Sequence, residues 1–71
     1  MTKREMINTS KILYWSIMIN AERKFSNDIE RMNNVKRLAI QFDRELDTCT
    51  ESNEIQRVYG NMKNLYGSVK W

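Results

Sequence analysis

Residues 32–49 read MNNVKRLAIQFDRELDTC, with apolar side chains at Met32, Val35, Ala39, Phe42, Leu46 and Cys49. The intervals are 3, 4, 3, 4 and 3 residues, the a/d spacing of a helix that packs along one seam. At about 100° per residue these six side chains form one narrow stripe, while Lys36, Arg37, Asp43, Arg44, Glu45 and Asp47 fall outside it. A helix built this way has one apolar face and needs a partner for it.

Downstream, Ile55, Val58, Met62, Leu65 and Val69 recur at 3, 4, 3 and 4 residues, flanked by Tyr59 and Tyr66. Residues 48–54 carry cap and turn chemistry, and Ser52 or Asn53 followed by Glu54 and Gln56 has the form of a helix start. The spacing therefore predicts a helix over 53–66 that returns antiparallel onto the 32–49 seam. Gly67 is the natural residue just past its end, with 67–71 as a short tail.

Upstream, Thr2 and Glu5 have the Ser/Thr-x-x-Glu form of a capping box, opening a helix over 3–25 that is roughly 34 Å long. This helix is apolar on two sides: Met6, Leu13, Tyr14, Ile17, Ala21 and Phe25 make one face, and Ile12, Trp15 and Ile19 make another. Two stripes call for two partners. Ser26 or Asn27 can cap a second helix over 28–48, with Asp28 in its first turn. No glycine or proline forces the break, so a continuous helix through Ser26 is the alternative.

The chain is expected to be all-α, a single domain over 1–71, either a small three-helix bundle or a helical hairpin with a long N-terminal helix. It has 71 residues, no proline and two glycines. A chain of this length buries only about 60% of its unfolded surface. A second copy packed on Ile12, Trp15 and Ile19 would hide the surplus stripe and enlarge the core, so a homodimer is expected.

The absent residue types narrow the chemistry. There is no histidine and only one cysteine, Cys49, so ordinary zinc sites and internal disulfides are excluded, and the usual nucleophile–base pairs lack their base. Cys49 fits the seam as a small hydrophobe. A non-enzyme with no cofactor and no metal is expected. A lone cysteine with no internal disulfide points to the reducing cytoplasm, and the apolar run from Ile12 to Ile19 is too short to cross a bilayer and has no cleavage site after it.

The net charge of +3 is unevenly spread, with basic ends and an acidic middle. Lys3, Arg4, Lys11, Arg23 and Lys24 make the first helix basic, whereas Asp43, Asp47 and Glu51 form a carboxylate line at i, i+4 and i+8. Like charges at that spacing disfavour a helix by about 0.2–0.5 kcal/mol per pair unless a base lies beside them. A solvated face is the plain reading, and a docking strip for a basic partner is the functional one. The segment Asp43-Arg44-Glu45-Leu46-Asp47 resembles, at Glu45, Leu46 and Asp47, the Ser-Gln-Glu-Leu-Asp motif of the small two-helix aspartyl-phosphate phosphatases of sporulation phosphorelays. The motif's serine and glutamine are Asp43 and Arg44 here, and three matched letters do not assign the chain to that family.

Tyr14, Tyr59 and Tyr66 are expected to close the core edge with their hydroxyls in water. The base-stacking reading adds Trp15 and Trp71 to them as platforms for nucleic acid. The leading functional expectation is a small protein-binding regulator, an adaptor or inhibitor of the kind that phages and other mobile elements carry. Ile12, Trp15, Ile19, Asp43, Asp47 and Glu51 are its expected interface. The alternatives are a nucleic-acid-binding dimer using Lys3, Arg4, Lys11, Arg23 and Lys24, and a structural component of a larger assembly.

Overall fold

The N-terminal cap forms where the capping box predicts it, in a computed structural model that describes residues 2–70. Thr2 Oγ1 accepts a hydrogen bond from the Glu5 amide at 3.1 Å. It also donates to the Glu5 carboxylate at 3.1 Å, a variant of the box in which the acid meets the cap hydroxyl. From this cap α1 runs over Lys3–Lys24, followed by α2 over Ile29–Thr48 and α3 over Ser52–Val69. Three helices pack together in a bundle whose long axis is 39 Å against 19 and 14 Å across. A 22-residue α1 of about 33 Å spans most of that length.

The break between α1 and α2 is real, and its cap lies one or two residues later than Ser26 or Asn27. Asp28 is the N-cap of α2, its side chain accepting from the Arg31 amide at 3.1 Å. Phe25 ends α1, its amide bonded to the Ala21 carbonyl. Its ring lies between the Lys24 and Arg31 cations, 5.9 and 5.6 Å from the centroid, so the turn is held by an aromatic ring between two positive charges.

The third helix departs from expectation at both ends. It starts at Ser52 with Glu51 in the cap position and no side-chain cap bond; Asn53 Oδ1 accepts from the Glu54 amide instead. At the other end the helix runs through Gly67 to Val69. Gly67 has no positive φ and so does not act as the left-handed terminator. Val69, 1% exposed, supplies the reason: continuing one turn buries a side chain that a tail from 67 would leave in water.

The topology is up–down–up. Lys3 on α1 donates to the Thr50 carbonyl in the α2–α3 turn, and Lys24, at the other end of α1, donates to the Ser68 carbonyl near the end of α3 at 3.0 Å. Hence α1 and α3 run parallel, with α2 antiparallel to both. The largest interhelical packing is between α1 and α3, and the smallest is between α2 and α3. The expected antiparallel pairing of α3 with α2 is present, but it is the smallest of the three contacts, and α1 is the principal partner of each.

The burial pattern gives the cause. Ile55, Val58, Met62 and Val69 of α3 and Ile17 of α1 are at most 1% exposed, whereas in the α2 seam only Ala39 and Leu46 are buried. Met32, Val35, Phe42 and Cys49 are half-buried at its edges. Ser10 of α1 is fully buried, its hydroxyl donating to the Met6 carbonyl at 2.7 Å, which satisfies a polar group in the core at no cost to the packing.

Candidate protein-binding surface

The outer side of α1 carries the surplus stripe in the open. Ile12 is 66% exposed, Trp15 64% and Ile19 50%. These are large apolar side chains on successive turns, and a contiguous apolar patch is what soluble surfaces tend to avoid. Trp15 is steadied by Tyr14, whose ring meets it edge-on with centroids 5.4 Å apart. Tyr14 itself is half-buried and packed against the core, as are Tyr59 and Tyr66. Trp71 lies outside the described residues.

On α2, Ile29, Leu38 and Ile40 are 65%, 42% and 37% exposed. Leu38 and Ile40 fall between the a/d positions of the 32–49 seam and Ile29 lies ahead of it, and that off-seam placement is the signal in the sequence. Ion pairs fix the register of α2 against α1, since Lys11 meets Asp43 and Asp47 while Glu22 meets Lys36. In that antiparallel register Ile40 lies level with the Trp15–Ile19 turn of α1. Arg37, Ile40, Gln41, Arg44, Glu45 and Thr48 line a shallow depression; all six belong to α2, so it is a surface feature rather than an enclosed cavity.

Two of the predicted sites turn out to be each other's partners. Lys11, placed in the basic set, lies 2.8 Å from Asp43 and 3.0 Å from Asp47 of the carboxylate line. The hydrogen bond to Asp43 is the main cause that holds the Lys11 ammonium above its ordinary pKa, with Asp47 adding to it and partial burial opposing it. The like-charge cost of the line is thus offset inside the chain. Glu51, the third member, is at the cap of α3 and takes no part in this cluster.

The basic set is likewise dispersed by the fold. Lys3, Lys11 and Lys24 are bonded to the α2–α3 turn, to α2 and to α3. Arg4 and Arg23 have no carboxylate partner among the described residues and sit at opposite ends of α1.

Cys49 is at the end of α2, half-buried. Desolvation first, and the negative charge of Glu54 next, push its thiol above the ordinary value, the reverse of what an activated nucleophile requires. Among the described residues no group of three or more acidic, histidine or cysteine side chains could hold a metal ion, and no helix is long and apolar enough to cross a membrane. Comparisons with family models, curated proteins and solved structures returned no match for this chain.

Proposed function

We propose that the chain is a small protein-binding regulator, an adaptor or inhibitor that acts without catalysis by seating the outer face of α1 on another protein. The observation that carries this reading is the exposure of Ile12, Trp15 and Ile19 on successive turns of a helix whose other face is already packed. A large aromatic flanked by aliphatic residues and rimmed by charge is the composition of an interface centre. The carboxylate line plays a smaller part, because Asp43 and Asp47 already have Lys11.

The test is affinity capture from the native host with the wild-type chain and the Trp15→Glu variant as parallel baits. A protein retained by the first and lost by the second supports the reading; identical captures from both baits would remove it. Mobility shift with duplex DNA at two salt concentrations checks the alternative, and no shift at low salt is the expected result.

A further inference from the structure

We infer that, in the absence of its target, the outer face of α1 is covered by a second copy of this chain, packed antiparallel about a two-fold axis close to Trp15 and competing with the target for that face. The inference rests on the proposal that this face is a binding surface and names what covers it. The face extends beyond the three apolar residues: Glu5, Asn8, Ile12, Trp15, Ile19 and Glu22 follow one another at 3, 4, 3, 4 and 3 residues, and all six are exposed. It is an a/d seam with an apolar centre and a carboxylate at each end. Beside each carboxylate stands an arginine, Arg4 next to Glu5 and Arg23 next to Glu22.

That pattern is self-complementary in one orientation. In a parallel pair each seam residue meets its own copy, so Glu5 would oppose Glu5 and Glu22 would oppose Glu22, leaving like charges at both ends. Turned end for end about Trp15 and Ser16, Ile12 lies opposite Ile19 of the second copy. Glu5 then shares a flank with Arg23 of the second copy, about 4.5 Å away along the axis at 1.5 Å per residue. On the other flank Arg4 and Glu22 of the second copy are about 7.5 Å apart axially, and Glu5 and Glu22 of the second copy about 6 Å, but the Glu22 charge is already neutralised by Lys36 at 2.8 Å. Among the described residues the Glu5 carboxylate meets only the Thr2 hydroxyl within its own chain, so the Glu5–Arg23 pair carries the specificity. Three apolar side chains per copy fall short of the roughly 800 Å² that each partner buries in a standard interface, so the dimer is a weak one.

Sedimentation velocity on the purified full chain tests this, with helicity checked for every variant by circular dichroism. Wild type should be dimeric at tens of micromolar and Trp15→Glu monomeric with unchanged helicity. Arg23→Glu and Glu5→Arg should each raise the dissociation constant about five- to tenfold, the effect of replacing a modest ion pair by a like-charge contact. The double reversal should return it to within about twofold of wild type. Within one α1 these residues are 18 positions, about 27 Å, apart, so rescue can arise only between copies. A wild type monomeric at tens of micromolar, a Trp15→Glu variant that stays dimeric, or a double reversal without rescue would each overturn the inference. A monomeric chain that still captures a host protein through Trp15 would leave the proposed function standing; a dimer that captures nothing would do the opposite.

Discussion

On its inner side α1 presents Met6, Ile17 and Ala21, between 0% and 7% exposed, and on its outer side Ile12, Trp15 and Ile19, between 50% and 66% exposed. The outer three are at least as apolar as the inner three, and both sets follow the helical period. What separates them is the flanks. Lys3, Lys11 and Lys24 reach the α2–α3 turn, α2 and α3, and this belt of bonds marks the border of the side that the other two helices cover. Apolar spacing identifies both faces, and the flanking polar bonds show which one is covered.

The comparison breaks first, if it breaks, at Ile17. Ile17→Ala on the inner side is expected to cost about 2–5 kcal/mol, enough to unfold so small a bundle, whereas Trp15→Ala in the monomeric state should change stability by no more than about 0.5 kcal/mol. Chemical denaturation of both variants at low micromolar concentration is the check, and equal midpoints would mean that the two sides are not distinct. Ser10 sharpens the inner side. It is fully buried among larger residues, so Ser10→Leu should destabilise by about 1–3 kcal/mol through overpacking, measured in the same way.

The glycines of α3 report the permissive counterpart. A Cβ added at Gly60 or Gly67 meets nothing within 4 Å, and neither residue has a positive φ. Each alanine substitution should therefore raise stability by about 0.5–1 kcal/mol through helix propensity alone, read as an upward shift of the denaturation midpoint. A loss at either position would show that the space is needed.

The smallest effect is at the flank between the two faces. Lys11→Met should cost about 0.2–1 kcal/mol, since the ion pairs are partly exposed, and its signature is pH dependence. The folded-state pKa of Lys11 is raised above 10.5, chiefly by the hydrogen bond to Asp43, so the folded chain holds this proton more tightly than the unfolded one. The contribution is complete below the unfolded value and disappears as pH rises through the folded value. Melting curves from neutral pH into the strongly alkaline range should show wild type and Lys11→Met converging as pH rises.

Much of the helical layout was legible in the sequence, because caps and periodicity act locally: Thr2 with Glu5, the Met32–Cys49 seam and the Ile55–Val69 seam all appear in the letters. The misreadings share a cause. Gly67 reads as a stop only until Val69 is known to be buried, and the α2 and α3 seams read as each other's main partner only until α1 is found to pack more extensively on both. Lys11 and Asp43 were assigned to rival sites because they are 32 residues apart, a separation that no local pattern bridges. The exposed stripe was legible as a surplus, since α1 has more apolar residues than one core can take, but that Ile40 is exposed on α2 at the same level follows only from the α1–α2 register.

The parallel contact between α1 and α3 also governs how the chain can be made. The most extensive packing joins the earliest of the three helices to be synthesised with the latest, so closing it requires all of α2 to be looped out in between. Until Val58, Met62 and Val69 have been translated, α1 and α2 can form only their smaller interface, with Ile17 and Leu46 lacking the side chains that bury them. A nascent chain stalled before Met62 would thus display two apolar faces on α1 instead of one. It would be a better target for a chaperone or a protease than the finished protein.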